Sequence, residues 1–227
     1  MARYLIHAIP KRMWYVEGFL IPSMLEQGIP RENISVYCDE KQEGNLRACL
    51  NAFASVPDDT EGTWHLQDDV CICKDFKERT EWYDNGLVCG FSSLMYDGDI
   101  PEKKGAVTRE NMWFSFPCIR IPNQIAREEA KWVDQYIIGN PVYRPFWESG
   151  VNDDWAFRKY LEEFHKGCVA LNVMPCLVDH VDYLLGGGTG KVKRKHPVRA
   201  QYWDCPEVVE RLEVDINGRQ GQCSTEK

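Results

Sequence analysis

The stretch "WHLQDDVCIC" (64–73) sets two aspartates, Asp68 and Asp69, among residues that favour strands on both sides. Adjacent carboxylates repel, and a buried charge without a partner is strongly unfavourable. A divalent cation relieves both problems, and hard carboxylate oxygens suit Mg2+ or Mn2+. A second acidic pair, Asp153 and Asp154, opens the helical run "DDWAFRKYLEEFHKG" (153–167). Two roles are open to it. Acids at a helix start cap free N–H groups and oppose the dipole. A carboxylate facing a cleft can instead take the proton of an attacking hydroxyl. At about 100° per residue, Asp153 lies nearer than Asp154 to the centre of the face made by Phe157, Tyr160, Leu161 and Phe164. His180 stands in "LVDHVD" (177–182), with Asp179 and Asp182 beside it. A histidine among apolar residues is commonly a packed core residue. With acids on both sides it is also a candidate metal ligand, and an imidazole donor shifts preference toward Mn2+.

The surrounding elements must bring these groups together. Residues 3–9 read as a strand, 12–28 as a helix interrupted at Pro22 and stopped at Gly28, and 34–38 as a strand ending at Asp39. A helix over 44–56 and a strand over 63–67 lead to the acid pair. This alternation predicts an α/β fold with a mostly parallel sheet and helices on both faces. Ligands of such sheets gather at the carboxyl ends of the strands, so Asp39, Asp68 and Asp69 are expected at one edge. Helix 75–86, strand 87–96, a loop over 97–111 and an extended run over 112–122 follow. Then come helix 123–137 capped by Asn123, a loop over 139–150, helix 153–167 and strand 168–173. The last dozen residues read as a frayed tail.

With 227 residues, 44% of them hydrophobic and 12% aromatic, the chain can build one sizeable core. Its 35 acidic against 27 basic residues, net −8, argue against non-specific nucleic-acid binding. The ten cysteines form no C-x-x-C pair. Cys71 and Cys73 fall on one face of a strand, as small apolar residues would. Reduced thiols and a cytoplasmic setting are expected. The opening residues do not read as a signal peptide, and no apolar run reaches the length that spans a bilayer.

"HLQDDVCICKDF" resembles the metal-binding segment of nucleotide-sugar glycosyltransferases of the GT-A fold, above all the "EDDV" stretch of the lipopolysaccharide-type transferases. The likeness extends in order over about residues 3–203. It takes in "NDDWAFRKYLEE", similar to the family's later acidic motif, and "MPCLVDHVD", similar to its C-terminal histidine segment. The resemblance implies a nucleotide-binding half over about 1–96, Rossmann-like, and an acceptor half over about 97–203, with 204–227 as an extension. It places Gln67, Asp68 and Asp69 on the acidic triplet, with Gln67 where an acid is usual. It implies Mn2+ or Mg2+ on Asp69, Asp68 and His180. It has Asp39 meet the nucleoside and Gln67 and Asp68 face the donor; Arg12, Lys191 and Arg199, basic residues outside the family motifs, are expected to join them in binding it. Asp154, with Asp153 beside it, would be the catalytic base. The implied activity moves a sugar from a nucleotide-sugar donor to a hydroxyl acceptor, by default a glycan. Two other classes share these features: a nucleotidyltransferase acting on a sugar phosphate, and a non-catalytic nucleotide-sugar-binding protein.

After His180 comes "GGGTGK", which departs from the P-loop pattern at Leu185 and Val192. Its glycines read as a hinge, and Lys191, Lys193, Arg194 and Arg199 either fold over a diphosphate as a lid or form a solvated basic loop.

Overall fold

A computed structural model describes residues 2–91, 105–110, 116–143, 153–185, 200 and 203–225. Strand β1 (Arg3–Ala8) leads into the helical run α1, from Pro10 to Glu26, then β2 (Ile34–Cys38), α2 (Asn45–Ala54) and β3 (Gly62–Gln67). β4 (Val70–Ile72), α3 (Phe76–Trp82), β5 (Val88–Cys89), β6 (Gly105–Glu110) and β7 (Cys118–Pro122) follow. α4 (Asn123–Trp132), α5 (Asp153–Phe164), β8 (Val169–Met174), β9 (Val178–His180) and α6 (Pro206–Thr225) complete the order.

Seven strands form one sheet in the order β2-β1-β3-β7-β5-β8-β6. β1, β2, β3, β5 and β8 point one way, β6 and β7 the other. The sheet is therefore mixed but mostly parallel. β4 and β9 pair separately. Alternation along the strands feeds two cores, one on each face. Tyr4, Ile6, Trp64 and Leu66 pack with Tyr15, Leu20 and Met24 of α1, Phe76 of α3 and Leu212 of α6. Leu5, Ile119 and Ile121 pack with Phe53 of α2, Ala126 of α4 and Phe157 of α5. Each large side chain so buried stabilises the fold by roughly 1.5–3 kcal/mol before entropy is counted. Cys71 and Cys73 lie in the first core. No described helix is long and apolar enough to cross a membrane.

α1 is a continuous helical run in four pieces: a 3-10 turn (Pro10–Arg12), an α turn (Met13–Tyr15), a π turn (Val16–Leu20) and an α segment (Ile21–Glu26). The expected break at Pro22 does not occur. Pro22 falls in the first turn after the π segment, where the bonding register changes and a missing N–H does least harm. Gly28 does stop the helix. Its φ is +77°, its N–H bonds the Leu25 carbonyl, and the Ile29 N–H reaches back to Met24. Both bonds satisfy carbonyls left open at the helix end.

Other expectations need correction. Part of the supposed loop 97–111 is β6, paired with β8 from Gly105↔Met174 to Glu110↔Val169. As the edge strand of the sheet it carries Thr108, Arg109 and Glu110, a polarity that imitates a loop. Strand 87–96 is represented by β5 alone, and its residues past Phe91 lie outside the described ones. Asn123 is not the cap of α4; Pro122 holds that position. The Asn123 amide instead accepts from the Thr63 hydroxyl at 2.7 Å and donates to Asp59 at 2.7 Å, tying α4 to β3. The C-terminal tail does not fray at once: α6 runs to Thr225 and buries Val209, Leu212 and Ile216 against the first core.

Candidate active site

β3 carries Trp64 and Leu66 into the first core, ends at Gln67, and turns through Asp68 and Asp69 into β4. The turn is anchored from three directions. The Ile9 N–H donates to Asp68 Oδ2 at 2.8 Å. The Tyr15 hydroxyl donates to the Val70 carbonyl at 2.8 Å. The Val181 N–H donates to the Asp69 carbonyl at 2.7 Å, just past the register pair Val70↔His180 of β4 and β9. Asp179 locks β9 in turn, its Oδ1 accepting the N–H groups of His180 and Ala200 at 2.9 and 2.7 Å.

The result is a buried charged cluster. Arg12, 6% exposed, donates from one Nη1 to Asp68 Oδ1 at 2.8 Å and to Asp69 Oδ2 at 2.5 Å. His180, 7% exposed, sets Nε2 3.1 Å from Asp69 Oδ1 and Nδ1 3.3 Å from Asp182 Oδ1. These approaches are ion-pair contacts without hydrogen-bond alignment, so Asp69 Oδ1 and His180 Nδ1 have no hydrogen-bond partner among the described residues. Burial opposes charge on His180, but Asp69 and Asp182 outweigh it and lift the imidazole to about 10. Burial also works against Asp69, yet His180 and Arg12 hold its carboxyl well below the ordinary range. Burial and the adjacent Asp69 push Asp68 up, with Arg12 opposing them. The neighbours thus divide the roles: Asp69 is the firm anion and Asp68 the softer one.

Two single-charge cations, Arg12 and His180, supply here the positive charge that one divalent ion would bring. Asp69 Oδ1 and His180 Nε2 are 3.1 Å apart. Adjacent ligands on a small cation with bonds of about 2.1 Å stand about 3 Å apart. That one oxygen and one nitrogen therefore have the spacing of two neighbouring ligands on Mn2+ or Mg2+, while both Asp68 oxygens are taken by Arg12 and the Ile9 N–H. Among the described residues no group of three or more His, Cys, Asp or Glu already converges on one point. The Arg12 guanidinium is seated between the two carboxylates.

Asp39 follows β2 at the same edge. It is buried, its N–H bonds the Ala8 carbonyl at 2.8 Å, and its Oδ1 has no hydrogen-bond partner among the described residues. Gln67 is half-buried at the end of β3, in register with His7. Strand alternation puts its side chain on the face opposite Leu66. Lys191 and Arg199, with the glycines before them, lie outside the described residues.

Asp153 and Asp154 begin α5. This helix feeds β8, which runs the same way as β3, so the helix start stands at the edge where β3 ends. The Asp154 N–H donates to Asp153 Oδ1 at 3.1 Å, and the Trp155 N–H to Asp154 Oδ1 at 2.8 Å. Both acids therefore satisfy first-turn N–H groups. Burial, then Asp154, pushes Asp153 up to about 7; burial also raises Asp154. Behind Asp153 lies an acid that the sequence reading missed. Glu129 of α4 is buried, its Oε2 lacks a hydrogen-bond partner among the described residues, and burial followed by Asp153 pushes its carboxyl well above the ordinary range. Its signal was periodicity: Ala126, Ala130 and Val133 mark the apolar face, and Glu129 rather than Glu128 shares it. A second missed pair is His7 and His65 on β1 and β3. Their ring nitrogens, Nε2 and Nδ1, are 2.8 Å apart beside Phe53, and burial keeps both neutral.

No known protein-family model matches this chain, and no curated protein matches it either.

Proposed function

We propose that the chain is a metal-dependent glycosyltransferase of GT-A type, moving a sugar from a nucleotide-sugar donor to a hydroxyl acceptor. One observation carries the reading. The acid pair ending β3 receives His180 from a distant strand, which gives a buried oxygen–nitrogen donor set at the carboxyl edge of a mostly parallel sheet. Asp39 at the end of β2 and the acids opening α5 share that edge and support it. A bound Mn2+ or Mg2+ would neutralise charge on the departing nucleoside diphosphate.

The chain's own groups supply the rest. Asp69, Asp68 and His180 hold the cation. Asp39 and Gln67 meet the nucleoside end of the donor. Asp154 takes the proton of the acceptor hydroxyl as its oxygen bonds the anomeric carbon and the bond from that carbon to the phosphate oxygen breaks. Asp153, lifted to about 7 by burial and then by Asp154, is the companion acid.

The test is a thermal-shift panel of nucleoside diphosphates and nucleotide sugars, with and without Mn2+. At least one nucleotide should stabilise the protein in a Mn2+-dependent way, and the Asp69→Asn variant should lose that response while remaining folded. Turnover of the matching donor should release nucleoside diphosphate. Release of pyrophosphate would assign a nucleotidyltransferase instead. Binding without donor hydrolysis would assign a binding protein. An unchanged response in Asp69→Asn would place the site elsewhere.

A further inference from the structure

The acid pair already has a cation. Arg12 spans Asp68 Oδ1 and Asp69 Oδ2 with one nitrogen, at 2.8 and 2.5 Å, from a nearly fully buried position. Among the described residues Asp68 and Asp69 pair with it directly, and His180 and Asp182 extend the cluster beyond Asp69. Of the four carboxylate oxygens of the pair, Arg12 takes two and the Ile9 N–H one. Only Asp69 Oδ1 is left, turned toward His180 and lacking a hydrogen-bond partner among the described residues. A divalent ion held there would stand within a few ångströms of a guanidinium that cannot lose its proton. Like charges in a buried site repel strongly. Arg12 therefore cannot keep its place on both acids once such an ion binds, and an anion arriving with the ion gives the guanidinium somewhere to go.

The backbone lets Arg12 respond. It is the last residue of the 3-10 turn that opens α1, one α turn before the π segment. Tyr15 pins the following turn to Val70, so the backbone stays and the long side chain is the movable part. A planar guanidinium that now spans two carboxylates is equally suited to two phosphate oxygens.

We propose that Arg12 is an exchangeable counter-ion. Without ligand it neutralises Asp68 and Asp69; when a divalent cation enters with a nucleoside diphosphate, Arg12 hands the acids over and moves to the phosphates. The identity of the anion rests on the glycosyltransferase reading above. The consequence is selectivity for the pair. A free cation must displace Arg12 into a site with no anion, and a free diphosphate meets two uncovered acids once Arg12 turns to it. Cation and diphosphate therefore bind cooperatively, and by linkage each strengthens the other by the same factor.

The test is calorimetry and Mn2+ electron paramagnetic resonance on the full chain, with MnCl2, UDP and GDP alone and in combination. For the parent, one of the diphosphates should raise Mn2+ affinity roughly 5–150-fold, the usual span of such couplings. In Arg12→Gln, Mn2+ alone should bind about tenfold tighter than in the parent, because its competitor is gone, and the coupling should shrink toward none. Arg12→Lys, which keeps the charge without the fork, should retain part of the coupling. Because Arg12→Gln uncovers two buried acids and can fail to fold, the parent's melting temperature is a second arm. Mn2+ alone and diphosphate alone should each leave it nearly unchanged, and the two together should raise it by several degrees.

The failures are separable. A parent that binds no diphosphate with Mn2+ overturns the glycosyltransferase reading and this inference with it. A parent that binds both additively, or an Arg12→Gln variant with unchanged coupling, overturns the exchange alone.

Discussion

Asp153 offers a measurement that needs no substrate. Replacing it by Asn keeps the oxygen that accepts the Asp154 N–H and removes only the ionisation. An ordinary aspartate titrates near 3.8; burial and Asp154 bring Asp153 to about 7. The folded state therefore holds this proton where the unfolded chain has released it. The stabilisation is complete below pH 3.8 and is lost as pH rises through about 7. At about 1.36 kcal/mol per pH unit, the ceiling is about 4 kcal/mol, of which about 2.5 kcal/mol falls between pH 5 and 8. Asp153 is partly exposed, so solvent screening brings that portion to about 1 kcal/mol. Of the titratable groups around it, Asp154 opens α5 beside it, Glu129 faces it from α4 and Cys49 from α2. Ionised Asp153 repels each in its charged form, so Asn should relieve them all in the same direction. Urea unfolding of parent and Asp153→Asn at pH 5, 6, 7 and 8 reads the difference directly. The variant should gain on the parent steadily as pH rises, by about 1 kcal/mol across the range. A difference that stays flat, or shrinks with pH, would refute the argument that burial keeps this carboxyl protonated.

Other substitutions probe the remaining links. Asp154→Asn should lower transfer by roughly 10²–10⁴-fold while donor affinity stays nearly constant, since proton removal matters only in the transition state; unchanged turnover at matched affinity returns Asp154 to helix capping. Gly62→Ala would put a methyl 2.5 Å from Arg120 Cζ, where that guanidinium is held by Asp84 at 2.6 Å and the Gly86 carbonyl at 2.7 Å. Displacing it should cost about 2–4 kcal/mol in urea unfolding, and a loss below 0.5 kcal/mol would show that Arg120 moves aside freely.

The acid pair and its strand were legible because β-formers flank two charges, although the two aspartates themselves make the tight turn from β3 into β4, which those flanking residues disguised. The alternation of strands and helices gave the layered fold for the same local reason. What the sequence did not disclose is long-range. Nothing near Arg12 announces that it will bridge Asp68 and Asp69, because that contact depends on how β1 and β3 align. The run at 105–110 hid its strand behind polar edge residues, and Pro22 hid the continuity of α1 behind a change of register that only the π turn explains. Glu129 was readable in principle. A single acid on an otherwise apolar helix face is the kind of conflict that marks a buried titratable group.

The pairing of β4 with β9 has a consequence for synthesis. Chains grow from the amino terminus, so Arg12, Asp68 and Asp69 leave the ribosome long before β9 is made. Through that interval the acids cannot reach His180. Arg12 and the Ile9 N–H, both encoded earlier, are the only partners seen here that the nascent chain can offer them. Sequence order thus separates the cluster's two cations, with Arg12 before the acids it bridges and His180 more than a hundred residues after them.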